Sequence, residues 1–159
     1  MAIHRIVVGV DGSPASARAL DWAADLATAT AAEVAVVHAF ELAPYVTGAP
    51  FGVLSMAPPG DVEGSLLAEV DGSWCAPLRE RGVTYRPVLR EGGAGAELLS
   101  VATEETAGLI VVGTRGRNGL REALLGSVAR YVTHHARCPV VVVPPAVSAA
   151  VAPAQASAS

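Results

Sequence analysis

The chain of 159 residues contains no lysine, and all eleven of its basic residues are arginines. Without lysine it has neither the phosphate-binding lysine of a P-loop nor an amine for Schiff-base chemistry. Only 4% of the residues are aromatic, whereas 52% are hydrophobic. We therefore expect one domain whose core is built from Ala, Val and Leu.

Cysteine and long apolar runs are also scarce. Cys75 and Cys138 lie far apart and match neither a metal-binding spacing nor a CxxC redox motif. A reduced, cytoplasmic protein is the simplest interpretation. No apolar run reaches the length of a membrane span, and the run near the N-terminus is too short for a signal peptide. We expect no membrane association.

Acidic residues exceed basic ones, and the formal net charge is −4. This balance argues against nucleic acid as a partner. The charge is unevenly distributed, because residues 113–143 hold five arginines and one acid, which leaves −8 for the rest of the chain. Such a basic segment indicates either a small anionic ligand or a solvated face.

Apolar runs and helical stretches alternate along the chain. The runs span residues 3–10, 33–40, 84–90, 109–113 and 139–143. Four of them are nearly continuous and rich in β-branched residues, which is typical of strands covered on both faces. Helices are predicted from Pro14, with Ser13 as N-cap, and over about 61–81, 95–106 and 127–136. The pattern predicts an α/β fold with an open parallel sheet and helices on both faces.

Three features modify this scheme. Pro87 lies inside the third run and favours an edge strand, because proline cannot donate to the sheet. Residues 41–60 are rich in Pro and Gly and predict either a functional lid or a surface loop. The Ala/Ser/Pro-rich residues 146–159 predict a disordered tail after a domain spanning residues 1–145.

Two loops are predicted to meet at one crevice. The stretch "VGVDGS" (8–13) follows the first strand, and "GTRGRNG" (113–119) follows the fourth. Ligands of open α/β sheets bind beyond the carboxyl ends of the strands, so both loops would contact one ligand if the two strands are neighbours. Asp11 could contact a ribose or a metal, or it could simply begin a turn before the helix.

Glycines and a serine recur at fixed spacing in the second loop, as G-x2-G-x9-G-[ST]. Gly113 and Gly116 would let the backbone approach a ligand closely. Gly126 and Ser127 open the last helix, whose free N–H groups form an anion site. The alternative is that these glycines only serve turn geometry. The four histidines form no constellation, and we predict neither catalytic nor metal-ligating residues; His38 is expected to pack at a strand end.

The stretches "IVVGVDGS", "VVHAF", "LIVVGTRGRNG" and "LLGSVARYVTHHARCPVVVV" resemble the universal stress protein family, from about Ile3 to Pro144. The resemblance implies a Rossmann-like sheet of five parallel strands in the order 3-2-1-4-5. The glycine pattern is the mark of the ATP-binding branch of that family. By resemblance, the glycines would surround the ribose and triphosphate of ATP.

The resemblance also implies the individual contacts. Gly9, Val10 and Asp11 would border the nucleoside, and the Ala39 backbone would meet the adenine edge. Ribose and phosphates would be lined by the loop residues Gly113, Thr114, Arg115, Gly116, Arg117, Asn118 and Gly119. The phosphates would be capped by Gly126, Ser127 and Val128.

For function, the resemblance implies a stress-response regulator that binds ATP, or ADP or AMP, together with Mg²⁺. Hydrolysis would be slow at best. A homodimer would form through the last strand, Val140 to Val143, and a regulatory protein partner is not identified. Two alternatives stay open: a slow ATPase or phosphotransferase, and a dimerising adaptor without nucleotide.

Overall fold

The computed structural model describes residues 3–41, 59–114 and 125–144. Within these ranges the chain forms five strands, five α-helices and one π-helical segment. The strands are β1 (Arg5–Gly9), β2 (Glu33–Phe40), β3 (Tyr85–Glu91), β4 (Leu109–Gly113) and β5 (Val140–Val143). The helices are α1 (Pro14–Thr30), α2 (Pro59–Glu69), α3 (Ala76–Glu80), α4 (Ala94–Glu104) and α5 (Ser127–His135), with the π-helical segment at Val70–Trp74.

The five strands form one parallel sheet in the order β3-β2-β1-β4-β5. This confirms the predicted fold class and strand order. β1 pairs with β2 on one side, ending at Gly9 opposite Val37, and with β4 on the other. β3 is an edge strand, as the proline at position 87 predicts. The chain therefore reverses its direction of winding between β1 and β4, which is where open α/β sheets bind ligands.

Both faces of the sheet are covered, because successive strand residues contribute to two separate apolar clusters. In β1, Ile6 and Val8 belong to the first cluster, and Val7 belongs to the second. The first cluster packs beneath α1 and includes the fully buried Leu20. The second packs beneath α4 and α5. This two-sided burial explains why the strands are continuous apolar runs.

The first helix begins as predicted. The Ser13 hydroxyl accepts a hydrogen bond from the Ser16 N–H (3.2 Å), and Pro14 follows it at the first helical position. Such a cap satisfies one of the N–H groups that a helix start leaves without an intrahelical partner.

The helix predicted over 61–81 is divided, so that part of the prediction is wrong. α2 runs into the π-helical segment, in which the Cys75 N–H donates to the Val70 carbonyl over five residues (3.0 Å). A separate short helix, α3, follows. Pro77 at its start has no N–H to continue a hydrogen-bonded ladder from the preceding turn. The predicted loop and tail fall largely on residues 42–58 and 145–159, which lie outside the described residues.

Candidate functional site

A crevice opens at the carboxyl edge of the sheet, between the ends of β1 and β4. Its enclosed part is a cavity of about 70 Å³. A shallower groove of about 330 Å³ adjoins it between the N-terminal ends of α4 and α5, and the two share Ala94 and Val128. The volume of the groove alone lies within the range of roughly 300–1,000 Å³ that is usual for small-molecule sites.

The structure brings together most of the predicted site residues that it describes. Six of them line the cavity: Gly9, Val10, Asp11, Ala39, Gly113 and Val128. Ser127 lines the adjoining groove. The predicted residues Arg115, Gly116, Arg117, Asn118 and Gly119 lie outside the described residues.

The loop from β1 to α1 is held in place by its own polar groups. The Asp11 carboxylate accepts a hydrogen bond from the Ser13 N–H (3.0 Å). The Asp11 N–H donates to the Ser16 hydroxyl (3.3 Å), and that hydroxyl donates to the Ser13 carbonyl (3.0 Å). Asp11 thus begins the turn before α1, which is one of the two roles that the sequence predicted for it. It also lines the cavity, where a ligand could contact it.

The segment that carries the glycine motif begins and ends at one point. The Thr114 N–H donates to the Val143 carbonyl (3.1 Å), which ties this residue to β5. The Gly126 N–H donates to the Thr114 carbonyl (2.7 Å). The two residues that flank the undescribed part of the motif, Thr114 and Gly126, therefore meet at the carboxyl edge of β4.

The N-cap residue of α5 is a glycine, which has no side chain to cap the helix. Gly126 is the N-cap, in an extended conformation (φ −60°, ψ 159°), and the Arg130 N–H makes the first helical hydrogen bond to its carbonyl (2.9 Å). The N–H groups of Ser127, Val128 and Ala129 therefore have no intrahelical acceptor. The helix dipole adds positive potential at the same place, which suits an anion.

Ala39 presents its peptide groups to the crevice. Alternate residues of a parallel strand bond to the same neighbour. The Val37 carbonyl accepts from the Val10 N–H (2.9 Å), so the N–H and C=O of Ala39, two residues further on, also point toward the β1 side. The register between β1 and β2 ends at Gly9 and Val37. Ala39 thus lies just beyond the end of the ladder, half-buried and lining the cavity.

Two site glycines lie close to neighbouring helices, a role that sequence reasoning missed; the close atoms are backbone at Gly113 and the end of a movable side chain at Gly9. A Cβ at Gly113 would lie 2.8 Å from the carbonyl carbon and oxygen of Ala15 in α1. A Cβ at Gly9 would lie 2.7 Å from the Leu98 side chain. These glycines let the helices approach the strand ends that frame the crevice. Since the contacting residues are distant in sequence, no local pattern could have indicated them.

Sequence reasoning also missed the contribution of α4. Ala94 and Leu98 line the cavity from its first turns. The available signal was positional: Ala94 follows Gly92 and Gly93 directly after β3, so α4 begins at the same edge of the sheet as the two predicted loops. Three further residues that line the cavity were not predicted from the sequence: Ser16, Val37 and Val112.

One polar atom at the site stands out. The Thr114 hydroxyl oxygen is buried and has no hydrogen-bond partner in the part of the chain that the structure describes. A buried hydroxyl without a partner is unfavourable, by about 1–3 kcal/mol. Thr114 directly follows β4, and its carbonyl accepts a hydrogen bond from the Gly126 N–H, so this hydroxyl lies at the carboxyl end of β4. Thr114 is not among the described residues that line the cavity or the adjoining groove.

Across 3–41, 59–114 and 125–144, no three His, Cys, Asp or Glu residues are grouped so that they could hold a metal ion. Nor does any helix in these ranges have the length and apolar character needed to cross a bilayer.

Comparisons with known proteins agree with this architecture. The chain is 33% identical over 147 residues to YxiE, a universal stress protein of Bacillus subtilis, which covers 88% of this chain and 98% of YxiE. A universal stress protein solved in complex with cAMP has a TM-score of 0.67 at 25% identity, over 92% of this chain and 100% of that one. The universal stress protein from Archaeoglobus fulgidus in complex with dAMP has a TM-score of 0.61 at 26% identity, over 90% and 99%.

The strongest of these findings concerns the family itself. The sequence model described as "Universal stress protein family" matches residues 2–144, which include every described element. Fold, strand order and sequence relatives all agree with that match. The chain therefore belongs to the universal stress protein family.

Proposed function

We propose that this chain binds an adenine nucleotide in the crevice, with ATP as its ligand, and that it acts as a stress-response regulator. The observation that carries the proposal is the hydrogen bond from the Gly126 N–H to the Thr114 carbonyl. It sets the N-terminus of α5, whose N-cap is a glycine, beside the carboxyl end of β4. A phosphate group there would accept hydrogen bonds from Ser127 and Val128 and meet the positive end of the helix dipole.

The base would lie against Ala39. The N–H and C=O of this residue point past the end of the β1 ladder, as a donor and an acceptor side by side. Adenine offers the complement on one edge, a ring nitrogen that accepts and an amino group that donates. Gly9, Val10 and Asp11 would then border the nucleoside from the other side of the cavity.

Thr114 supports a ligand with hydroxyl or phosphate oxygens. Its buried hydroxyl has no partner among the described residues. Thr114 lies next to Gly113 of the cavity lining, so a ribose hydroxyl or phosphate oxygen would satisfy this hydroxyl if the end of β4 opens toward the bound ligand. The residues present therefore fit the nucleotide that the glycine motif predicts.

The loop 115–119 would supply further contacts. We propose that Gly116, Asn118 and Gly119 line the ribose and phosphates, and that Arg115 and Arg117 add positive charge there. The support is that Thr114, which directly precedes this loop, and Gly126, at the start of α5, meet at the carboxyl end of β4. Mg²⁺ would accompany the phosphates; the described residues offer no cluster of protein ligands for it.

The relatives favour an adenine nucleotide in particular. Two structurally similar universal stress proteins were solved with cAMP and with dAMP. Both ligands share the adenine and the sugar phosphate, the parts that Ala39 and the α5 N-terminus would contact. Binding of ADP or AMP at the same site is the close alternative to ATP.

We favour regulation over turnover. The chain has no lysine to stabilise a phosphoryl transition state. Asp11, the acid in the cavity lining, already accepts a hydrogen bond from the Ser13 N–H. Slow hydrolysis is the enzymatic alternative, and multiple-turnover phosphate release would identify it. An adaptor without nucleotide is the third possibility.

The nucleotide site is physically connected to the edge strand. Thr114 donates its N–H to Val143 of β5 and accepts from Gly126 of the site. Within the described sheet β5 pairs with β4 alone, and its four valines leave an apolar edge. Such edges invite pairing with another chain. We propose that a second copy pairs there, from Val140 to Val143, and that nucleotide binding alters this contact through Thr114.

A cytoplasmic location is part of the same proposal. Cys75 and Cys138 are both free thiols in the structure. Free cysteines without a disulfide framework are typical of reducing compartments.

The proposal is tested by denaturing freshly purified protein and identifying any released nucleotide by chromatography. We expect ATP or ADP at close to one equivalent. Gly116→Val would place a branched side chain in the predicted phosphate loop and should abolish retention. Gly64→Val is the matched control, since nothing lies within 4 Å of a Cβ at this exposed position in α2.

The outcomes separate the three functions. Nucleotide retained by wild type and by Gly64→Val, but lost in Gly116→Val, supports the proposed site. Phosphate release over many turnovers would indicate the ATPase. No adenine nucleotide after purification, and no binding of added Mg-ATP, would leave the adaptor.

A further inference from the structure

His38 lies beneath the crevice and does not itself line the cavity. Its ring is buried, with 6% of the residue exposed. Nδ1 lies 2.9 Å from the Val10 carbonyl oxygen. Because a carbonyl only accepts, Nδ1 carries the proton and donates this hydrogen bond, whether the ring is neutral or charged.

The Val10 carbonyl is the acceptor that would otherwise extend the sheet. The Val10 N–H donates to the Val37 carbonyl, so the next bond of a parallel ladder would run from the Ala39 N–H to the Val10 carbonyl. The register instead stops at Gly9 and Val37, and His38 holds that carbonyl. The N–H and C=O of Ala39 can thereby bond to a ligand in the crevice instead of to β1.

Trp74 fixes the imidazole from the other side. The two rings meet edge to face at 90°, with their centroids 5.1 Å apart. The indole also covers the β1–α1 turn, since a Cβ at Gly12 would lie 2.7 Å from it. Gly12 has a φ of +76°, which glycine adopts without strain. Trp74 therefore packs against both the imidazole and the β1–α1 turn, at which the chain leaves β2.

We infer that His38 is a positioning residue for base recognition: by donating to the Val10 carbonyl it ends the β1–β2 ladder one bond early and leaves the Ala39 N–H and C=O for the base edge. This inference rests on the proposed nucleotide function. It assigns selectivity for adenine to a side chain that does not itself line the cavity.

The test compares two isosteric substitutions in the full chain. His38→Asn keeps an N–H donor where Nδ1 lies, and His38→Leu removes it, while both lose the ring packing against Trp74. Binding of ATP and of inosine triphosphate is measured for each. Inosine presents the reverse donor and acceptor pattern on the edge that would face Ala39.

We expect the wild type and His38→Asn to prefer ATP to a similar degree. His38→Leu should lose roughly 3- to 10-fold of that preference, the contribution of about one hydrogen bond. A merely structural role would weaken both nucleotides equally and leave the ratio unchanged. Equal ratios in all three proteins, or equal loss in both variants, would overturn the inference.

A second measurement uses the wild type alone and needs no nucleotide. Without ligand, the Ala39 amide of the wild type should exchange with deuterium at least about tenfold faster than the Val37 amide, which lies within the ladder. Equal protection would overturn the inference even if ATP binds. If instead Ala39 exchanges fast and no nucleotide binds, the proposed function fails while the early end of the ladder stands.

Discussion

Replacing Gly113 with alanine tests whether this glycine serves packing or only leaves room for a ligand. The added Cβ would lie 2.8 Å from the carbonyl carbon and oxygen of Ala15. These are backbone atoms in the first turn of α1, which the Ser13 cap holds in place. They cannot rotate away as a side chain would, so α1 or β4 must shift. Overpacking of this kind costs about 1–3 kcal/mol.

The assay is thermal unfolding followed by circular dichroism. A domain of this size loses roughly 2–4 °C per kcal/mol, so Gly113→Ala should lower Tm by about 2–12 °C. Gly108→Ala is the control at the other end of β4, where the nearest atom to a new Cβ is the Ile3 Cα at an ordinary 3.5 Å. Its Tm should change little.

The two roles of Gly113 predict different results. If the residue only made room for a ligand, Gly113→Ala would lose nucleotide affinity and keep the Tm of the wild type. An unchanged Tm would therefore contradict the packing role. A fall confined to Gly113→Ala would support it.

Two further predictions concern stability. Ser13→Ala removes the hydroxyl that accepts a hydrogen bond from the Ser16 N–H, so it should lower the free energy of unfolding by about 1 kcal/mol in urea titrations. Ser13→Asp should retain the cap. Equal losses in both variants would contradict the capping role. Burial raises the pKa of the Cys75 thiol from 9.0 to about 11, so between these pH values the folded chain keeps a proton that the unfolded chain loses. The free energy of unfolding should therefore fall as the pH rises through that window. In Cys75→Ala it should fall less steeply with pH. Parallel slopes for the two proteins would show that Cys75 is not responsible.

Much of the fold was predictable because its signals are local. Continuous β-branched runs indicated strands buried on both faces, and the two apolar clusters of the structure confirm this. Pro87 predicted an edge strand and Ser13 a helix cap, and both are confirmed. The order of the strands was available only through the family resemblance, since periodicity does not specify which strands are neighbours.

The division of the helix predicted over 61–81 was not predictable from periodicity. Its cause is partly local, because Pro77 lacks an N–H. The rest is tertiary: the π-helical segment ends at Trp74, whose ring packs against His38 and Gly12. These contacts join residues far apart in the sequence.

At the candidate site the sequence predicted six of the residues that line the cavity, but neither the contribution of α4 nor the packing reason for the glycines. Gly113 lines the crevice as expected, yet its lack of a side chain is required by α1. The position of Ala39 at the end of the ladder depends on where β1 leaves β2, which no motif encodes. The contacts of residues 115–119 stay a prediction.

Titration of ¹⁵N-labelled protein with Mg-ATP, followed by NMR, tests nucleotide binding in the crevice most directly. We predict saturable shifts at the Ala39 amide and at those of Thr114, Gly126, Ser127 and Val128. The amide of Cys138, in the groove at the opposite end of α5, should not move. Absence of saturable shifts, or shifts centred on Cys138, would contradict binding in the crevice.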